Sequence, residues 1–147
     1  MTSSKKINNQ IIVFLGVVIK DGKSLMILRN EPECPKAHLK WEWPGGKADL
    51  GETPQQALMR EFLEETGVTI KVGRLLSHIQ VSNWEYAWGI QQTILFGFEC
   101  KFISQTKMDK MDHHAKKVEW VGIDKIKKLK SLPGTNEFFS AALKSRG

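Results

Sequence analysis

The sequence predicts an α+β fold or a mixed-sheet sandwich. Two observations carry this prediction. Segments of alternating apolar and polar residues, typical of strands, recur along the chain. Helical segments fall between them without the regular strand–helix alternation of a parallel sheet. The chain has 147 residues, a length that favours one domain, so we expect a single domain over residues 1–147.

Composition limits the class of protein. Hydrophobic residues make up 41% and charged residues 26% of the chain, as in ordinary globular proteins. Cys34 and Cys100 form no C-x-x-C pair, so we expect free thiols in a reducing compartment. The apolar run 11–19 is too short to span a bilayer, and no cleavage site of a signal peptide follows it. We therefore expect a cytoplasmic protein without a membrane partner.

The chain is basic, with a formal net charge of +6 and a pI of about 9.4. Such a charge attracts polyphosphates or nucleic acid. A run of charged residues is, however, more often a plain solvated face, and we favour that interpretation for the lysines that cluster late in the chain. These lysines are Lys107, Lys110, Lys116, Lys117, Lys125, Lys127, Lys128 and Lys130.

Local patterns place the elements. Residues 11–19 and 24–29 read as strands of a hairpin around Asp21-Gly22-Lys23, and 31–40 read as a loop. Trp41 to Gly46 predicts a short extended piece that ends in a turn. Further strands are predicted at 68–82, 90–102 and 117–121, and helices at 123–130 and 135–144.

One helix is defined by its caps and carries the informative residues. Thr53 is the predicted N-cap, Pro54 the first residue, Thr66 the last and Gly67 the C-cap. At about 100° per residue, its glutamates share an arc of roughly 100°. These are Glu61, Glu64 and Glu65. The apolar residues lie on another arc, which we expect to face the core: Leu58, Met59, Phe62 and Leu63.

The carboxylate arc has two interpretations. A solvated face is possible, but like charges three and four residues apart destabilise a helix. The dipole also disfavours anions in the last turn, and only Arg60 is near in sequence to offset them. A bound cation would remove the conflict, and oxygen ligands suit Mg²⁺ or Mn²⁺. Spacing alone leaves both interpretations open.

The segment from Gly46 to Val68 resembles the Nudix signature at every fixed position. Five residues separate Gly46 from Glu52, and seven more precede the run Arg60-Glu61-Phe62-Leu63-Glu64-Glu65-Thr66-Gly67-Val68. Phe62 is aromatic where the signature usually has an aliphatic residue. The resemblance implies the Nudix fold, an α/β/α sandwich with a mixed β-sheet. It also implies Mg²⁺-dependent (or Mn²⁺-dependent) hydrolysis of a diphosphate linkage in a nucleotide-like substrate.

The resemblance also implies roles. Glu61, Glu64 and Glu65 would hold the metal ion, with the turn at Gly45 and Gly46 adding a backbone carbonyl. Arg60 would orient the glutamates and Glu52 would support the loop before the helix. The general base is open. Glu61 is one candidate, and many relatives use a glutamate from a loop before the last strand. That loop here contains Asp112, His113 and His114, with His114 and Lys117 where a carboxylate often sits.

Shorter matches resemble the MutT-like branch, which hydrolyses oxidised purine nucleoside triphosphates to monophosphate and pyrophosphate. In that branch the position of Trp43 lies near the base, that of Asn136 pairs with oxidised guanine, and that of Arg29 lies on the phosphate or sugar side. Plain alternatives are a core tryptophan, a helix cap and a surface arginine. Ile90 departs from the branch, because bacterial MutT has an arginine nearby on the base side.

Other functions stay open. The substrate of a Nudix enzyme could instead be ADP-ribose, a dinucleoside polyphosphate or an RNA 5′ end. A non-catalytic module that binds a nucleotide or nucleic acid is a further alternative, which the intact glutamates disfavour. We favour a small nucleotide over nucleic acid as the partner, and the sequence indicates no oligomeric state.

Overall fold

A computed structural model describes residues 6–108, 110 and 112–146, which form seven strands and two α-helices with one short 3₁₀ helix. The strands are β1 Ile7–Lys20, β2 Lys23–Arg29, β3 Trp41–Glu42, β4 Gly45–Gly46, β5 Val68–Tyr86, β6 Gly89–Gln105 and β7 Ala115–Gly122. The helices are α1 Pro54–Thr66 and α2 Thr135–Arg146, and the 3₁₀ helix is Ile126–Lys128.

The sheet is mixed and is organised around β1. The order β3-β2-β1-β6-β5 gives its main path. β1 pairs in parallel with β6 and antiparallel with β2 and β4. β5 and β6 form a long antiparallel hairpin, and β7 pairs with β2. One long strand therefore joins two parts of the sheet, and β4 beside it holds the turn that precedes α1.

The core lies on both faces of this sheet, which confirms the predicted sandwich. Successive strand residues point to opposite faces, so Val17 joins the cluster with Phe138 and Phe139 of α2, while Val18 joins the cluster with Leu58 and Phe62 of α1. Each helix thus buries its apolar side against one face. Neither helix in the described part of the chain is long and apolar enough to cross a membrane.

The hairpin turn and the caps of α1 are found where the sequence predicts them. Asp21 and Gly22 have φ values of 52° and 72°, the pair of left-handed residues that a tight hairpin of type I′ requires. Thr53 accepts from the backbone N–H of Gln56, and the Gln56 side chain accepts from the N–H of Thr53. Gly67 closes the helix with φ 74°. Both ends of the helix are therefore fixed by local sequence.

Two predictions about packing and length are wrong. Met59 and Leu63 do not join the core side of α1, because they are 45% and 49% exposed and the sheet is reached by Ala57, Leu58 and Phe62 instead. The predicted helix at 123–130 is only the turn Ile126–Lys128. Its cap makes no side-chain hydrogen bond and only Ile126 is buried, so nothing anchors a longer helix. The strands at 68–82 and 90–102 are longer than predicted.

The two thiols match expectation as far as the structure describes them: Cys34 and Cys100 are both buried and free.

Candidate functional site

The turn at β4 brings the chain against the carboxylate face of α1. A Cβ atom on Gly46 would overlap the carboxyl group of Glu61, and one on Gly45 would overlap the carbonyl of Phe14. The backbone N–H of Gly45 donates to Glu65 Oε1 at 3.0 Å. Only glycine permits this approach at either position, so these two residues set the distance between the turn and the glutamates.

Arg60 ties the preceding loop to the same face. Its Nε and Nη2 donate to the two oxygens of Glu52, each at 2.9 Å, which is the bidentate geometry that a guanidinium makes with a carboxylate. Nη1 donates to Glu61 Oε1 at 3.0 Å and to Glu64 Oε2 at 3.3 Å. Nη2 also donates to the carbonyl of Lys47 at 3.1 Å. One side chain thus fixes two of the three glutamates relative to the loop.

Glu52 completes this tie. Its Oε1 accepts from the backbone N–H of Asp49 at 2.7 Å as well as from Arg60. The hydrogen bonds from Arg60 and then from Asp49 lower the pKa of Glu52 to about 2. Glu52 is therefore a permanent anion that holds the loop in place.

Two glutamates of α1, Glu61 and Glu65, have raised pKa values. Burial raises the pKa of Glu65 well above 4.5, and the nearby carboxylate of Glu42 raises it further. Burial also raises the pKa of Glu61, against the opposing effect of Arg60. A cation at this place would favour the charged forms. The donor set, all oxygen, fits a hard divalent ion such as Mg²⁺ or Mn²⁺.

The loop before β7 reaches the same place. The negative charge of Asp112 contributes to the raised pKa of both Glu61 and Glu65. Ligand atoms of Asp112, His113 and His114 lie within 4.8 Å of one another, so these side chains form a second group that could hold an ion. Asn30 fixes the loop by donating to the carbonyls of His113 and His114 at 2.9 Å and 2.8 Å.

A cleft adjoins the carboxylate cluster at Gly45. It is open to solvent on one side and is lined by residues of β1, β2, β3, β5, β6 and α2. Aliphatic and aromatic side chains from β1, β5 and β6 form much of its wall, and polar groups come from five segments. The polar lining residues are Arg29, Glu31, Glu42, Gln91, Thr93 and Thr135. A flat, partly polar group such as a nucleobase fits this lining.

Arg29 lies in the cleft, where it is already paired. Its Nε donates to Glu31 Oε1 at 2.9 Å, and its Nη1 lies 2.9 Å from both oxygens of Glu42. Glu31 Oε2 in turn accepts from the hydroxyl of Tyr86 at 3.0 Å. Arg29 is therefore not the isolated surface charge of the plain alternative, but the centre of a network with two carboxylates.

Trp43 borders the cleft from inside the core. The residue is only 3% exposed. Its ring stacks on Phe139 with centroids 5.9 Å apart, and its indole N–H donates to the carbonyl of Thr135 at 3.0 Å. One face of the ring is thus taken by α2, and the role of Trp43 as a contact to the base stays a prediction.

Asn136 is not among the residues that line this cleft. It lines a separate shallow depression with Ser77 and His78. Its Oδ1 is buried without a hydrogen-bond partner among the described residues, so no hydrogen bond of a helix cap is formed by that atom. The structure brings Arg29 and Trp43 together and leaves Asn136 apart. Its role in reading the base stays a prediction.

The family model described as the NUDIX domain matches residues 11–142. The chain belongs to the Nudix family. The glutamates of α1, the glycines of β4 and the adjoining cleft are thus features of this Nudix domain.

Relatives within the family carry different printed activities. Over 57 residues, 39% of this chain and 43% of the relative, the Nudix chain is 39% identical to an 8-oxo-dGTP diphosphatase of Escherichia coli K12. Over 108 residues, 73% and 26% of the two chains, it is 32% identical to a putative nudix hydrolase 1 of Caenorhabditis elegans. It is 37% identical over 68 residues, 46% and 49% of the two chains, to a CTP pyrophosphohydrolase of E. coli K12. The matched segments cover less than half of each relative.

Solved structures share the fold. A NUDIX hydrolase from Nitrosomonas europaea superposes with a TM-score of 0.73 at 23% identity, over 93% of this chain and 90% of that one. A MutT protein from Methanosarcina mazei Go1 gives 0.67 at 24% identity, over 99% of both chains. These likenesses confirm the Nudix fold predicted from the sequence.

The sequence reasoning missed several residues of the cleft. Glu31, Glu42, Tyr86 and Gln91 were not singled out, although all four line it. A partial signal exists in β5, where Trp84 and Tyr86 alternate at the spacing that puts side chains on one face of a strand. Nothing in the sequence indicates that Glu31 and Glu42 meet at Arg29, because their meeting depends on how the loop 30–40 returns to the sheet.

Proposed function

We propose that this Nudix chain is a Mg²⁺-dependent pyrophosphohydrolase that cuts a purine nucleoside triphosphate, oxidised purines included, to monophosphate and pyrophosphate. The observation that carries the proposal is the partly buried carboxylate of Glu65, held by the backbone N–H of Gly45, which also lines the adjoining cleft. Mn²⁺ could replace Mg²⁺, since both accept oxygen ligands.

Different residues of the site would bind the metal ion, position its ligands and hold the nucleoside. Glu61, Glu64 and Glu65 would hold the divalent ion with a backbone carbonyl from the turn at Gly45 and Gly46. When bound, such an ion neutralises phosphate charge and acidifies water. Arg60 and Glu52 position the glutamates, since their hydrogen bonds fix the loop against α1. The cleft would hold the nucleoside and so orient the triphosphate for in-line attack by water.

A general base must take a proton from the attacking water. Glu61 is one candidate, and burial raises its pKa above the ordinary value of a glutamate. Asp112 is the other candidate carboxylate. Its negative charge helps to raise the pKa of Glu61 and Glu65, which supports a position near them. His113 and His114 follow in the same loop. Separate replacement of Glu61 and Asp112, with kcat measured across pH, would distinguish them.

The decisive experiment is a hydrolysis screen with product identification. It includes ordinary and oxidised purine triphosphates, pyrimidine triphosphates, ADP-ribose, dinucleoside polyphosphates and capped RNA, each with Mg²⁺ and after exhaustive chelation. We expect turnover of a purine triphosphate only with the divalent ion. Full activity after chelation, or turnover of ADP-ribose alone, would refute the proposal.

A second candidate function is removal of pyrophosphate from RNA 5′ ends. Two features support it: a 44% identical segment of 45 residues in an RNA pyrophosphohydrolase of Blochmanniella pennsylvanica, covering 31% of this chain and 28% of that one, and exposed lysines in and beside the loop before β7. These are Lys107, Lys110, Lys116 and Lys117. RNA binding through them would weaken steeply with salt, whereas triphosphate hydrolysis would not require RNA.

A further inference from the structure

The cleft contains two carboxylates that the proposed chemistry does not use. Arg29 joins Glu31 and Glu42: its Nε donates to one oxygen of Glu31, and its Nη1 lies 2.9 Å from both oxygens of Glu42. Tyr86 donates to the other oxygen of Glu31 at 3.0 Å. The side chains of Glu31 and Glu42 keep 15% and 23% of their surface exposed. Both side chains are therefore held by hydrogen bonds and keep part of their surface exposed in the cleft that they line.

The charge of this group decides what it can bind. One guanidinium and two carboxylates leave a net charge of −1 (+1 − 2) when all are ionised. Arg29 is neutralised by its two partners, so it is a poor ligand for a phosphate. A carboxylate is an acceptor only, with room for about two hydrogen bonds on each oxygen. The group therefore offers acceptors to a ligand and repels its anionic part.

The apolar and aromatic walls of the cleft suit the flat faces of a nucleobase. Trp84 and Tyr86 of β5 line it together with Ile11, Val13 and Leu95 from the neighbouring strands. Flat apolar and aromatic walls bind a base through its faces, which every base offers alike. Selection among bases must then come from the polar groups at the edge.

We propose that Glu31 and Glu42, held by Arg29, are the specificity-determining residues that read the base, through an edge with two adjacent N–H donors. Guanine has such an edge in N1–H and its exocyclic amine. Adenine and cytosine offer one amine beside a ring acceptor, and uracil offers one N–H between two carbonyls. This inference rests on the proposed function, and it gives the carboxylates the role that the sequence predicts for Asn136.

The proposed contact does not distinguish guanine from guanine oxidised at C8. The N1–H and the exocyclic amine are the same in guanine and 8-oxoguanine, so the carboxylates select guanine over other bases without separating the two forms. Hypoxanthine has N1–H but lacks the amine. It therefore leaves one acceptor of the cleft without its partner, which a site built on hydrogen bonds penalises.

The test is nucleotide binding by titration calorimetry in the absence of metal, which needs no catalysis. The probes are GMP, 8-oxo-GMP, IMP, AMP, CMP and UMP with the full chain. We expect GMP and 8-oxo-GMP to bind alike, and GMP to bind roughly 5- to 150-fold tighter than IMP, the range for one well-made contact to a base edge. Equal binding of GMP and IMP by the wild-type protein would overturn the inference.

Variants assign the preference to residues. Glu42→Gln and Glu31→Gln should each reduce the GMP-to-IMP ratio, because an amide replaces an acceptor with a donor. Glu119→Gln is the matched control, since Glu119 is an exposed residue of β7 that lies 4.0 Å from the ammonium of Lys117 and does not line the cleft. An unchanged ratio in both cleft variants, or a ratio lost in Asn136→Ala instead, would contradict the inference.

The two proposals fail in different ways. If no nucleoside triphosphate is hydrolysed with Mg²⁺ while GMP still binds tighter than IMP, the proposed function fails and the specificity assignment stands. If triphosphates are hydrolysed but binding and kcat/KM are the same for guanine and hypoxanthine, the assignment fails and the enzyme class stands.

Discussion

At the scale of single residues, Glu64 and Glu65 differ in environment although they are adjacent. The side chain of Glu64 is 55% exposed and contacts Arg60, whereas Glu65 accepts from Gly45 and burial raises its pKa. A divalent ion would use both, because carboxylates on one helix face can converge on one ion. Loss of either should therefore weaken the same charge stabilisation in the transition state.

We predict that Glu64→Gln and Glu65→Gln each lower kcat by roughly 100-fold or more. Steady-state kinetics on the best triphosphate, with circular dichroism to check the fold, measures this. Glu119→Gln serves as the control and should retain activity. Near-normal turnover in both helix variants would remove the metal assignment.

Arg60→Lys tests positioning without a change in charge. Lysine cannot reproduce the fork that holds both oxygens of Glu52 while also reaching Glu61. We predict a loss of roughly 10- to 100-fold in apparent Mg²⁺ affinity, the usual effect of removing support around a metal ligand. Titration of activity against Mg²⁺ measures it. If the Mg²⁺ dependence is unchanged, Arg60 acts only in stability.

At the scale of elements, α1 depends on a capping box that is separate from the chemistry. Thr53→Ala removes the acceptor for the N–H of Gln56, and we predict a loss of about 1 kcal/mol in the free energy of unfolding. Urea denaturation measures it, and kcat under saturating Mg²⁺ should change little. Thr53→Ser keeps the hydroxyl and should restore stability. Equal stability of the alanine and serine variants would show that the cap is dispensable.

The features of α1 also show which parts of the structure can be predicted from the sequence. The limits of α1 and the glutamates on one face follow from local rules, namely caps and an angle of about 100° per residue, and the structure contains them. The exposure of Met59 and Leu63 does not follow. It depends on which part of the sheet lies under the helix, and helical spacing cannot supply that information.

The site divides in the same way. The cluster of α1 comes from one continuous segment, so its spacing is visible in sequence. The cleft is assembled from residues as far apart as Glu31 and Tyr86, which meet at 3.0 Å. Such contacts depend on the register of β5 with β6 and on the path of the loop after β2. A short match at Asn136 gave no information on that geometry.

At the scale of the whole molecule, the position of the substrate between the cleft and the glutamates determines which phosphate bond is hydrolysed. A nucleoside in the cleft and the ion-binding cluster beside it would place the bond between the α- and β-phosphates at the attacking water. We predict monophosphate and pyrophosphate as the first products. Phosphorus NMR of the early reaction measures them, and orthophosphate as the first product would overturn the prediction.

The stability of the metal-free protein should depend on pH through its partly buried carboxylates. The pKa of Glu65 lies well above 4.5 in the folded state, and those of Glu61 and Glu42 are also raised, in each case first by burial. A group with a raised folded pKa binds its proton more tightly when folded. Its contribution is complete below the unfolded pKa and is lost as pH rises through the folded value. Glu52 has the opposite sign, because its pKa is lowered from 4.5 to about 2, so its contribution is present above pH 4.5 and is lost as the pH falls toward 2.

We therefore predict that, in chelator, the free energy of unfolding falls as pH rises from about 4.5 toward neutrality, and that Glu65→Gln flattens this fall. Urea denaturation at each pH measures both effects. Mg²⁺ should then raise the wild-type Tm more at high pH than at low pH, since its ligands must be deprotonated and an ion bound only to the folded state stabilises it. Glu65→Gln should lose most of that gain. A wild-type protein whose metal-free stability does not change over this interval would show that Glu65 is not strained by burial, and the argument for a cation at α1 would then rest on the Nudix signature alone.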